Sequence, residues 1–494
     1  MKSNTVKKMK NLLYGIMAAT VLGFYACDDL LDIPPVSEIA ADSYYKNEEQ
    51  INTALMGAYN GMQKPLLTEW MLTEVRSDNA VQQTPGSSSA ANLDLNDLDM
   101  FRPSSSMQAI YDYWYATYQN ISSVNAVLNN LNAVPAGNLK NQYEGEARFI
   151  RAYHYFNLVR LFGPLFITTE VISPKIARET DRSPVSEVYD LIVIDLEFAS
   201  LNLPDSYPPA QLGRITSWAA KTLLAKVYMT TQRQNLAKPI LLDVKDNSGH
   251  QLLPKYEDVF SIQKEMNNEI IFAIRFKTGG LGLGSSFANL FAPSQSGANI
   301  INGDGSGYNH PSHNFMLTFP TQDLRRNVTV DVWNQKNYIK KFLSPVSTRF
   351  DAENDWPVLR YADVLLLLAE IYNEEGGHVN ALPLINNVRF RAGLPDLNND
   401  ISQSHLRLAI ENERRFEFAF ENQRWFDLLR TNRAIEVVEN QIFTSDLDLH
   451  YRFYPPALRP EQANIIHEWQ LLLPIPQREI DTNNEIIISQ NLGY

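Results

Sequence analysis

The 494-residue chain holds a single cysteine, Cys27, so no disulfide can form within it and packing, hydrogen bonds and ion pairs must hold the fold. Positive charge is scarce too. The formal net charge of −13 repels phosphate backbones and anionic lipid, which excludes nucleic acid as a partner. No Gly-x-x-x-x-Gly-Lys-Ser/Thr motif occurs, and the run TGGLGLGSS from Thr278 lacks the third glycine that a dinucleotide loop needs. That run reads as a flexible loop. Metal-ligand spacing is missing as well: His310 and His313 stand three apart, but Pro311 lies between them and no carboxylate motif accompanies them. Neither metal nor cofactor is expected.

What is present begins at the N-terminus. Lys2, Lys7, Lys8 and Lys10 precede the apolar run LLYGIMAATVLGFYA, Leu12 to Ala26, which is short for a membrane span and has the flanks of a signal peptide. Cys27 follows at once. This resembles a bacterial lipoprotein signal, in which the thiol is lipidated and becomes the mature N-terminus; Ala26 fits that pattern, while Phe24 and Tyr25 depart from it. Several acyl chains on one residue give lasting attachment to a membrane. The segment DDLLDIPPVS, Asp28 to Ser37, then reads as an acidic tether.

The body is organised around EGEARFIRAYHYFNLVRLFGP, Glu144 to Pro164. At 3.6 residues per turn, Phe149, Ala152, Tyr153 and Phe156 form one apolar stripe, and Ala147, Ile150, Leu158 and Leu161 form another. Such a helix has neighbours on both sides. Its arginines wind around the cylinder, so some must meet carboxylates inside the protein. Gly163 and Pro164 stop it.

Other helices follow the same rules. Asn47 with Gln50 marks a capping box for a helix running toward Pro65. Ser104 to Ser106 can cap another through Leu131, and Ser183 with Pro184 and Thr216 open a further pair. Val364 to Ala369, VLLLLA, is apolar all round and must be internal, and Ala381 to Ala392 forms a short helix ended by Gly393. EIIFAIRF, Glu269 to Phe276, alternates as a strand does. Two long segments, 78–106 and 279–357, read as irregular, and loops of that length are functional or disordered. In Leu406 to Arg430, acids alternate with arginines. Glu417 with Glu421, or Glu421 with Asp427, could serve as an acid–base pair, but an arginine lies three or four residues from each, which favours an ion-pair network, with the arginines of the central helix as natural partners.

Several motifs together resemble the SusD/RagB family of surface nutrient-binding lipoproteins. They are Cys27 with its acidic follow-on, EARFIRAY from Glu146, RYADVLL from Arg360, INNVRFRAGLP from Ile385, ERRFEFAFE from Glu413, RWFDL from Arg424, LPIP from Leu473 and QNLGY from Gln490. Asn422 stands where the family has glycine, and asparagine tolerates the same left-handed backbone. The resemblance implies a mainly α protein: a tetratricopeptide-like helical repeat scaffold with a loop-rich ligand-binding face and minor β structure. It further implies lipid anchoring at Cys27 on the outside of the outer membrane and no catalytic residues. The expected partners are a TonB-dependent outer-membrane transporter and an oligosaccharide ligand, or alternatively a peptide; a surface glycoside hydrolase is the competing reading. The expected organisation is a signal peptide at 1–26, a tether at 27–40, helical regions at 41–232 and 358–494, and a loop-rich insertion at 233–357. Ligand contacts fall in the irregular segments, where Asp78, Asn79, Tyr308, Asn309, Trp333 and Trp356 supply flat rings and planar polar groups for sugar faces and hydroxyls.

Overall fold

A computed structural model describes residues 44–82, 90–441, 466–483 and 485–494. The signal segment, Cys27 and the tether lie outside the described residues.

The fold is mainly α-helical with three two-stranded sheets. Helices α1 (Glu48–Gly61) and α2 (Gln63–Leu72) pack on α4 (Gln108–Asn129), and α4 packs on α5 (Asn138–Phe162). The array continues through α7 (Val185–Asn202), α8 (Ser217–Thr230) and α9 (Gln234–Asn247), each packed on the one before. Helix α9 then meets α10 (Tyr361–Glu374), which carries α11 (His378–Arg391) and α12 (Gln403–Glu417). The segment between α9 and α10 therefore leaves the array and returns to nearly the same place. Its neck is an antiparallel pair, β2 (Ile270–Ile274) with β6 (Trp356–Arg360). All five β2 residues are buried, because the strand is covered on both faces and its alternation has no solvent side to mark.

Helix α5 is the inner helix its two stripes require: both are buried, and Gly163, at φ 73°, ends it. Its polar residues are satisfied locally. Asp195 on α7 takes Arg151 through two bonds of 2.8 and 2.9 Å and Arg148 at 3.1 Å. Glu146 accepts from Tyr59 Oη at 2.6 Å and pairs with Arg214 at 3.0 Å. His154 is a core histidine beside Asn120, and burial lowers its pKa to about 3, so it stays neutral. The arginines of α5 do not pair with the acids at 413–427, contrary to expectation. Arg160 alone reaches that region, and it does so with its guanidinium 3.5 Å from the Phe426 ring.

Local chemistry moves several boundaries. Asn47 caps α1 by accepting from the Gln50 amide, but the Gln50 side chain reaches back to the amide of Lys46, one residue further than a capping box would have it. Pro65 does not end a helix; it sits in the first turn of α2, where its missing N–H costs nothing. The segment 78–106 contains a helix, α3 (Ala90–Asp99), and Asp94 of that helix accepts from the Ala109 amide at the start of α4. Ser104 to Ser106 fold on one another instead.

Candidate functional site

A buried ion-pair cluster fastens the insertion to the array. Glu417 at the end of α12 pairs with Arg325 at 3.0 Å, Arg360 at 2.8 Å and Arg391 at 2.6 Å. Glu421 takes Arg360 and Lys341, both at 2.8 Å, and Glu269 bridges Arg360 and Arg391. Burial by itself would raise the Glu417 carboxyl, but Arg391, Arg360 and Arg325 overcome it and hold the group well below the usual carboxylate range. Asp427, between Arg414 and Arg430 near the start of α13 (Arg424–Arg430), is held low in the same way. The carboxylates weighed as an acid–base pair are thus locked to cations.

A second set of buried ion pairs positions a small sheet face. Asp78 pairs with Arg424 at 2.7 Å and Arg415 at 3.0 Å, and Asn79 accepts from Arg415 at 3.0 Å. That fixes β1 (Ala80–Val81), which pairs antiparallel with β3 (His310–Pro311). Ser312 closes the joint, its amide donating to the Asn79 carbonyl at 2.8 Å and its hydroxyl to the Asp78 carbonyl at 2.9 Å. The hairpin β4 (Val330–Trp333) and β5 (Lys336–Ile339) lies alongside: His310 Nδ1 is 2.9 Å from the Asn337 carbonyl, and Asn337 donates to the Pro311 carbonyl at 3.2 Å. Its two-residue turn, Asn334 and Gln335, has positive φ at both positions, which matches the strand twist.

The six residues expected at the ligand divide in two. Tyr308, Asn309 and Trp333 belong to this face. Trp333 is half-buried at the hairpin tip, opposite Lys336. Tyr308 is half-buried with its ring stacked on Trp70 at 6.0 Å and 26°. Asn309, between Tyr308 and β3, is buried at φ 54°, and neither atom of its amide has a hydrogen-bond partner among the described residues. Asn309 is thus as deeply buried as Asn79, and its amide lies inside the joint, away from the open surface.

Asp78, Asn79 and Trp356 are interior residues, and this corrects their placement at the ligand. The first two anchor β1, and Trp356 is a core residue of β6, stacked on Phe342 at 4.7 Å and 12°. The sequence reading missed Arg415, whose side chain ties Asp78 and Asn79 to Asn314. Its signal was the pair of adjacent arginines after Glu413, of which Arg414 faces Asp363 and Arg415 faces β1. His310 is committed to Asn337, and among the described residues no three His, Cys, Asp or Glu side chains group as metal ligands. In the glycine run, the amides of Gly279 and Gly280 hold Asp351, both at 2.9 Å, so that backbone nest is filled by the protein's own carboxylate.

Residues 314–494 match the sequence profile described as the SusD family, and residues 29–229 match the one described as "Starch-binding associating with outer membrane". The chain belongs to the SusD/RagB family. This SusD/RagB chain is 27% identical to SusD-like protein P25 of Formosa agariphila over 543 aligned residues, covering 99% of the chain and all of the relative. Among solved structures it resembles a laminarin binding SusD-like protein at 25% identity and a TM-score of 0.75, covering 91% of this chain and all of that one. Surface glycan-binding protein A from Bacteroides thetaiotaomicron, in complex with laminarihexaose, shares the fold with a TM-score of 0.74 at 20% identity, covering 90% of this chain and 99% of that one. Asn422 has φ 60°, and its amide donates to Glu74 at 2.7 Å, so it holds a left-handed bend.

Proposed function

We propose that this protein is a cell-surface lipoprotein, anchored to the outer membrane through Cys27, that captures oligosaccharides and passes them to a TonB-dependent transporter of the SusC type. The observation that carries the reading is the likeness, along nine-tenths of the chain, to a protein named for binding laminarin. The sheet face supports it chemically. Trp333 and Tyr308, both half-buried, offer flat apolar rings for sugar faces. Their role is binding, and no catalytic residue is assigned.

The test is an array of immobilised glycans and peptides probed with the purified protein. Retention on one class of glycan, lost in Trp333→Ala, is the expected result. Retention on peptides alone would replace the sugar ligand by a peptide, and release of reducing ends from a bound polysaccharide would overturn the non-enzymatic assignment.

A further inference from the structure

A second cleft, of about 700 Å³, opens between α4, the short helix α6 (Pro174–Glu179) and the C-terminal segment around α15 (Gln477–Thr482); among the described residues the α-helix before α15 is α14 (Ala434–Gln441). None of its lining residues belongs to the sheet face. Its floor is aromatic. Trp114 and Tyr118, one turn apart on α4, have ring centroids 4.8 Å apart, and Phe166 stands 6.0 Å from Trp114. Tyr118 is fixed in place, its hydroxyl donating to the Phe166 carbonyl and accepting from the Phe166 amide, both at 3.1 Å. Tyr115, 47% exposed, stands at the rim. Helix α6 buries no residue of its own, so it walls the cleft without filling it; Asn483 donates to the Arg178 carbonyl at 2.9 Å and ties the two walls together.

Polar groups ring this floor: Gln119, Ser122, Glu170 and Glu479. No cation pairs with the Glu479 carboxyl among the described residues, and burial raises its pKa. A carboxyl group lining the same cleft as aromatic rings accepts from hydroxyl donors, while the rings cover the apolar faces of a ligand. The volume lies within the range of small-ligand pockets. One arginine, Arg178, faces two carboxylates, which disfavours an anionic ligand. The geometry points to a second carbohydrate site, in which this cleft takes a short uncharged oligosaccharide independently of the sheet face.

Calorimetric titration with laminaritriose, cellotriose and maltotriose separates the two sites. Wild-type protein is expected to bind at least one of these sugars at two sites. Trp333→Ala keeps the cleft site, and the double variant Tyr115→Ala, Glu479→Gln keeps the sheet-face site, with the lost site weakened at least tenfold. Both cleft residues are partly exposed, and an unchanged melting temperature confirms that the double variant is folded. A single site abolished by Trp333→Ala and untouched by the double variant overturns the cleft proposal and leaves the sheet face standing. The converse pattern overturns the sheet face alone, and the absence of binding to all three sugars by the wild type overturns both.

Discussion

Helix α5 and the α12–α13 joint are both inner segments rich in arginine, yet they place their charge differently. On α5 the cations meet acids of the neighbouring array, Arg148 and Arg151 on Asp195, and the remaining surface is apolar on two sides. At the joint, Glu417 and Glu421 reach out of the array to Arg325, Lys341 and Arg360, all from the insertion or its neck. Hydrophobic stripes stack the repeats, and buried charge fastens the insertion onto the stack. The division has a physical basis: apolar packing is tolerant of exact placement, whereas a buried ion pair is stable only in one geometry.

The largest effect should come from Glu417→Ala. It leaves Arg325, Arg360 and Arg391 without their common partner, and breaking a buried pair in this way costs about 3–5 kcal/mol. Hydrogen exchange should accelerate first in β2, β6 and residues 323–341 and leave α5 protected; uniform acceleration would erase the distinction between the two regions. Leu158→Ala on α5 removes a fully buried side chain and should cost about 2–5 kcal/mol, spread over the helices packed around it.

Acid should act on the joint before α5. Glu417 and Asp427 have folded pKa values below their unfolded ones, so the stability they contribute is present above the ordinary carboxylate range and is lost as pH falls toward the folded values. Glu74 works in the opposite sense. Burial raises it from 4.5 to about 7, against the opposing hydrogen bonds from Asn422 and Asn79, so its contribution is present below pH 4.5 and lost as pH rises to about 7. Glu74→Gln should flatten the stability profile between those two values, as read by urea unfolding at several pH values; an unchanged slope would contradict the assignment. The smallest stability change is expected for Trp333→Ala, within about 0.5 kcal/mol, because the side chain is half-buried at a hairpin tip.

The scaffold was legible because periodicity reports burial directly: the stripes of α5, the all-apolar core of α10 and the cap at Thr216 each stand where the pattern puts them. Partner choice was not legible. Which acid meets Arg151 depends on which helix packs beside α5: the alternation of acids and arginines at 413–427 pointed there, whereas the partner is Asp195 on α7, 44 residues away. The candidate site was harder to read for a related reason. Asp78 and Trp356 have side chains suited to sugars, but that chemistry equally suits a core, and only the fold shows Asp78 beneath two arginines and Trp356 beneath Phe342. Helix α3 was hidden because its sequence, AANLDLNDLD, is polar and sparse in apolar residues, so its pattern is weak although Leu95 and Leu98 are buried.

The most direct test measures affinity and melting together on Trp333→Ala, with laminarihexaose among a panel of oligosaccharides. The account predicts at least a tenfold loss of affinity for the sugar that occupies the sheet face, with the melting temperature unchanged. Unaltered affinity for every sugar that the wild type binds would contradict it.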